Sequence, residues 1–185
     1  ASVLAPAKTA RGQAVPTATL EILLTSERGD RMTRMENVPF REGRAAGIVI
    51  EVFPDDLRQT LDGIGTSFTE SSAFVLAHLD PAKRREVMER IFGATGANFT
   101  LTRTHVGSCD FSVEGKYSYD DTPGDRKLRN FSIAPDLAGF DPAKWPGIQD
   151  PAYALLPMIR EAQAIKRTQP DSTLRIIASA WTAPA

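Results

Sequence analysis

The sequence predicts an α/β fold built on a parallel sheet, and three observations carry that prediction. Short strand-like runs stand at residues 61–68 (LDGIGTSF), 99–106 (FTLTRTHV) and 174–179 (LRIIAS). Stretches with helical spacing and capping signals separate them, which gives the strand, helix, strand, helix, strand order of parallel neighbours. The middle run breaks at Gly107-Ser108 and delivers Asp110 and Phe111 just beyond its carboxyl end, where parallel sheets carry their functional groups.

Taken in order, residues 1–18 form an Ala/Pro/Thr-rich lead without the apolar stretch of a signal peptide, read as a mature or trimmed end. Residues 18–26 (ATLEILLTS) read as a strand closed by a turn at Gly29-Asp30, residues 31–38 as a polar strand or loop, and residues 47–53 (GIVIEVF) as a strand stopped by Pro54. These runs lack helices between them and are expected to be strands of an antiparallel sheet too small to close a sandwich alone. Thr69 is the expected N-cap of a helix reaching Leu79. Asp80-Pro81 starts a second helix with the apolar stripe Val87, Met88, Ile91 and Phe92, ended by Gly93. After the 99–106 strand comes a connection of about forty residues, long enough to expect function or internal structure. A helix over 156–167, with Pro157 in its first turn, then leads to the last strand and the sequence Ala180-Trp181-Thr182-Ala183-Pro184.

The totals exclude several classes. A chain of 185 residues can bury about 70% of its unfolded surface, enough for a core. With 22 basic against 23 acidic side chains, the net charge of -1 gives no electrostatic reason to expect nucleic acid or an anionic membrane. The one cysteine, Cys109, rules out an intrachain disulfide, and no apolar run is long enough for a transmembrane segment, so the expectation is a soluble protein.

Within the 99–106 run, alternation puts Phe99, Leu101, Arg103 and His105 on one face and Thr100, Thr102, Thr104 and Val106 on the other. A cation in mid-strand needs an anionic partner, because an unpaired buried charge costs roughly 3–5 kcal/mol. The strand therefore implies a polar, carboxylate-containing centre.

Four segments, GIGTSFTESSA, LTRTHVGSCDFS, YSYDDTPGDRKLRNFSI and ASAWTAPA, occur in the order and at the intervals of glycoside hydrolase family 30, which holds glucosylceramidases and β-1,6-glucanases. The sequence resembles that family from about residue 59 to residue 185. The resemblance implies a (β/α)8 TIM barrel, of which this chain holds the first three strands over residues 61–185, and a side β-sandwich to which residues 1–60 contribute strands. It also implies retaining hydrolysis of β-glycosides by two glutamates, an acid/base and a nucleophile, both beyond this chain's end, so that the chain alone is expected to be inactive. Carried over residue by residue, Asp110 is implied to bond sugar hydroxyls, Trp181 and the neighbouring Phe111 to line the same subsite, and Arg103 to support the catalytic carboxylates. GIGTSFTE replaces a GFGGAMTD-like pattern and Thr104-His105 replaces an apolar-proline pair, which leaves the aglycone open among lipid, glucan and short oligosaccharide.

The residue types suit that chemistry on their own terms. A retaining glycosidase holds two carboxyls about 5–5.5 Å apart, one protonated and one ionised, and a nearby guanidinium favours the ionised form. A carboxylate can accept from two sugar hydroxyls, while an indole offers an apolar face and one N–H. No metal or organic cofactor is implied. The expected partners are a β-linked glycoside and the remaining C-terminal part of barrel and sandwich, in a secreted or periplasmic setting.

Plainer readings stand beside these. Asp110 next to Gly and Ser fits an Asx-type turn, and Trp181 fits core packing. His105 reads as a satisfied polar side chain, Cys109 as a small packer and His78 as a surface residue. Asp120, Asp121 and Asp125 read as a solvated turn, since the glycine and closing glutamate of a calcium loop are missing. Gly63-x-Gly65 is no dinucleotide fingerprint, because Phe68 stands at the third glycine. The rival whole-chain readings are a non-catalytic carbohydrate-binding or scaffold fragment and a small complete flavodoxin-like domain.

Overall fold

A computed structural model describes residues 19–41, 43–44, 46–170 and 172–184. The chain divides into two compact units, residues 1–59 and 60–185.

In the first unit, β1 (Thr19–Leu20) pairs antiparallel with β4 (Val38–Pro39), and β2 (Leu23–Leu24) with β3 (Thr33–Arg34). Leu20 faces Val38 and Leu23 faces Arg34, so two residues on the outgoing side oppose three on the return. That mismatch is a bulge, and it splits the strand expected over 18–26 into two short pieces. The turn falls at the expected glycine: Gly29, at φ 108°, donates its N–H to Ser26 O at 3.1 Å. The strand expected at 47–53 does not form. Ile48 and Ile50 are 97% and 84% exposed, and no neighbouring backbone among the described residues pairs with them. Alternation sets which way side chains point, but a strand exists only where a neighbour takes its hydrogen bonds.

The second unit contains β5 (Gly65–Ser67), α1 (Glu70–Ala77), α2 (Pro81–Phe92), β6 (Leu101–Val106), a 3-10 turn (Ala134–Asp136), α3 (Leu155–Arg167) and β7 (Arg175–Ala180). The strands form one parallel sheet in the order β5-β6-β7. Consecutive strands lie side by side, which excludes the flavodoxin-like reading, whose first strand sits between the second and third. The Gly63-x-Gly65 pattern is accounted for here: a Cβ on Gly65 would collide with the Leu101 carbonyl, so glycine lets β5 approach β6.

The helix signals are local, and they act where expected. Thr69 caps α1 in a capping box, its Oγ1 accepting from Ser72 N–H while Ser72 Oγ accepts from Thr69 N–H. The helix stops at Ala77, two residues before Leu79, because His78 is the C-cap and Asp80 already caps α2 through Ala82 and Lys83. His78 is half-buried rather than a surface residue, with its ring edge-on to Phe74. Met88, Phe92, Met158 and Ala162 are fully buried and join α2 to α3, with Phe68 packed edge-to-face on Phe92 at 5.1 Å. The α3 lysine Lys166 is buried as well. Its ammonium donates to the Phe92 carbonyl, Asn98 and Gln169, and burial lowers its pKa from the usual lysine value.

The long connection after β6 is internally folded. Asp136 is completely buried and accepts from the hydroxyls of Tyr117, at 2.6 Å, and Tyr119. The solvated turn expected at the aspartates is present, exposed over residues 121–124, and the aspartates also accept local hydrogen bonds: Asp121 from Ser118, Asp125 from Asn130, and Asp120 from Thr122 N–H. Asp120 departs from the expectation in being buried, only 4% exposed. Among the described residues, no helix is long and apolar enough to cross a membrane.

Candidate functional site

On strand β6, Thr102 and Thr104 are hidden on one face, and the other carries a half-buried Arg103 beside a buried His105. In the parallel register Arg103 lies opposite Ile177 and His105 opposite Ser179, so Arg103, Ser179 and Trp181 project to the same side. Arg103 Nε donates to Ser179 Oγ at 3.2 Å, and its guanidinium carbon stands 4.5 Å from the centre of the Trp181 ring. A cation over an indole contributes roughly 0.5–2 kcal/mol and fixes the plane of both groups. Among the described residues no carboxylate lies within ion-pairing distance of Arg103.

Past β6 the chain reverses at Gly107, whose φ of 74° is a left-handed conformation that glycine adopts without strain. A tight turn follows, closed by Ser112 N–H to Cys109 O at 3.0 Å and by Cys109 N–H to Ser112 Oγ at 2.9 Å. Asp110 and Phe111 are its two central residues, both exposed. The side chain that stabilises the turn is therefore Ser112. Asp110 instead directs its carboxylate outward, where Oδ1 accepts from the Trp181 indole N–H at 3.3 Å. Ser108 and Thr182 tie the two strand ends together, hydroxyl to hydroxyl at 2.8 Å, and Thr182 Oγ1 also donates to the Ser108 carbonyl at 2.6 Å.

The result is a row of cation, indole and carboxylate across the carboxyl ends of β6 and β7. Phe111, 70% exposed, shares the Asp110 turn, whereas Trp181 is 45% exposed. Such a row offers an apolar ring face and an outward acceptor, the two features a sugar ring with its hydroxyls needs.

Behind the turn lie groups that the sequence reading treated as framework or passed over. His105 is buried, with Nδ1–H donating to the Gly107 carbonyl and Nε2 accepting from Glu70 N–H at 2.9 Å. Both ring nitrogens are committed to backbone. Glu70, the first residue of α1, is 4% exposed, and its carboxylate accepts from Val113 N–H at 2.6 Å and Glu114 N–H at 3.2 Å. Burial pushes the Glu70 carboxyl above its ordinary value, and the two N–H donors oppose that rise. A cavity of about 610 Å³ borders this region, lined in part by Glu70, Glu114, Tyr117, Asp136 and Phe140. Among the described residues no group of three or more His, Cys, Asp or Glu is placed to hold a metal ion.

The sequence profile described as the glycosyl hydrolase family 30 TIM-barrel domain matches residues 61–185. The chain belongs to glycosyl hydrolase family 30. Lysosomal acid glucosylceramidase of Mus musculus is 26% identical over 160 residues, covering 86% of this chain and 27% of the mouse protein. An endo-1,6-beta-D-glucanase of Neurospora crassa is 34% identical over 88 residues, covering 46% of this chain and 18% of its own length. Among solved structures, SrfJ from Salmonella typhimurium superposes with a TM-score of 0.64 at 26% identity, over 85% of this chain and 31% of that one. An endo-β1,6-glucanase structure matches with a TM-score of 0.53 at 27% identity, over 71% and 24% respectively. The chain thus spans under a third of each of these relatives. For family 30 as a whole, the domain is a TIM barrel; the described residues of this chain form one small three-stranded parallel sheet.

Proposed function

We propose that this chain is the N-terminal part of a retaining β-glycoside hydrolase, acting on a β-glucoside or a close relative such as a β-1,6-glucan. Residues 61–185 then form the first three strands of the catalytic barrel, and residues 1–60 supply strands to a side β-sandwich. The observation that supports this most is the Asp110 carboxylate held against the Trp181 indole at the carboxyl ends of adjacent parallel strands, over the Arg103 guanidinium. In this reading Asp110 accepts from sugar hydroxyls, Trp181 and Phe111 meet the ring, and Arg103 faces the catalytic carboxylate pair.

The chemistry belongs to two glutamates beyond Ala185. One attacks the anomeric carbon as the other protonates the leaving glycosidic oxygen. Water, deprotonated by the second, then releases the sugar with its configuration retained. The fixed charge of Arg103 lowers the energy of the ionised nucleophile, so its partner is a carboxylate outside this chain. The reaction needs acids and water alone, with no cofactor. A secreted or periplasmic location belongs to the same reading, since a β-glycan too large to cross a membrane must be met outside it.

The test is hydrolysis of a chromogenic β-glucoside and of a β-1,6-glucan by the complete protein, with the anomer of the first-formed product read by NMR. Turnover with retention is expected, and Asp110→Ala should lower kcat/KM by about a hundredfold or more, the scale of a lost charged contact to a sugar. Binding of the glucoside without turnover would favour the non-catalytic carbohydrate-binding alternative.

A further inference from the structure

The connection between β6 and α3 leaves Asp110 on an exposed turn, yet the backbone on both sides of that turn is held by one buried residue of another element. Glu70 opens α1, 35 residues before His105 and 43 before Val113. Its backbone N–H goes to His105 Nε2, and the opposite nitrogen of the same ring holds the Gly107 carbonyl on the entry side of the turn. Its carboxylate takes the N–H groups of Val113 and Glu114 on the exit side. Ser108, tied to Thr182, fixes the entry side to the strand end that carries Trp181.

We infer that Glu70 is a positioning residue, which through its carboxylate and the His105 ring clamps residues 107–114 so that the Asp110 carboxylate meets the Trp181 indole and a bound sugar in one geometry. The inference rests on the reading that Asp110 contacts the sugar. The physical case is one of satisfied groups. A carboxylate that is 4% exposed and makes no ion pair among the described residues is costly to bury unless donors are aimed at it. Here both of the donors aimed at its oxygens belong to the exit of the Asp110 turn, so the helix start and the turn hold each other in register. Backbone N–H groups bonded to an ionised oxygen make stronger bonds than neutral pairs, which stiffens an exposed segment that has little packing of its own. Gln is the informative replacement. It keeps the shape and one acceptor, but turns an NH2 toward an N–H that then has no partner.

The experiment is a double-mutant cycle in the complete protein, with hydrolysis of the chromogenic β-glucoside and amide exchange as readouts. Glu70→Gln should lower kcat/KM about tenfold on its own and less than about twofold when Asp110→Asn is already present, because a residue acting through Asp110 has nothing left to act on. Equal losses in both backgrounds would show a general structural contribution and overturn the inference, as would no loss in the single variant. Exchange at the Val113 and Glu114 amides should quicken about tenfold in Glu70→Gln while the α2 amides stay protected. If the complete protein hydrolyses no β-glycoside, the functional reading fails, and the clamp is decided by exchange: unchanged Val113 and Glu114 rates overturn it.

Discussion

Segment 47–53 of the first unit holds its apolar side chains in solvent, Ile48 at 97% and Ile50 at 84%, whereas in the second unit Met88, Phe92 and Met158 are hidden completely. The hydrophobicity of the residues is similar, and what differs is the company. Helices α2 and α3 lie against each other and enclose a common core, while 47–53 has no partner strand among the described residues. Burial of apolar area stabilises a fold at about 25 cal/mol per Å², but only where a second surface removes that area from water. The first unit is held chiefly by two short ladders and a turn, and the second by packing.

That contrast can be broken or sharpened by mutation. Phe92→Ala removes a fully buried ring that meets Phe68 edge-on, and should cost about 3–5 kcal/mol in denaturant unfolding. Ile50→Ala should change the same measurement by less than about 0.5 kcal/mol, since its side chain is already in water. A comparable loss at Ile50 would mean the segment is covered in the folded protein.

Alkaline pH should separate the units next. All three tyrosines, Tyr117, Tyr119 and Tyr153, belong to the second unit, and their pKa values are raised, chiefly by burial and then by the carboxylates that accept their hydroxyl protons. In the unfolded chain a phenol ionises near about 10. Below that pH both states keep the proton and the contribution is intact. Above it the unfolded chain loses protons that the folded chain retains, so stability falls as pH rises. Amide exchange followed against pH should show the second unit loosening above about pH 10, and Tyr117→Phe should flatten that fall. A pH-independent second unit would contradict the buried phenols.

The remaining effect has the opposite sign. Thr104 Oγ1 is buried without a hydrogen-bond partner, so Thr104→Val should be neutral or stabilising by up to about 1 kcal/mol, measured as a rise in Tm.

Local chemistry was the most legible part of the sequence. Thr69, Asp80 and Gly93 mark helix ends because a cap acts within one turn of its own residue. The two faces of β6 were legible too, since threonines on one side and Arg103 and His105 on the other fall out of a period of two. The GIVIEVF strand was misjudged because pairing is a property of a neighbour and not of the run itself. The bulge that puts Leu20 and Leu23 in separate pieces was not legible, because a bulge leaves no mark in an apolar pattern. At the site, the turn around Asp110 could be anticipated from Gly107 and Ser108. The turn-closing bonds of Ser112 could not, and neither could the role of Glu70, whose donors lie 43 and 44 residues away. The signal that remained available was a polar side chain at the start of a helix facing the end of a strand, a place where orphan backbone groups gather.

The division of labour inside the turn at residues 109–112 has a consequence for how such chains diverge. Because Ser112 ties the loop shut and Asp110 contributes nothing to its closure, the outward position is an interchangeable tool on a fixed handle. Natural drift at that one codon can retune which polar groups are gripped, while the main chain beneath keeps its path.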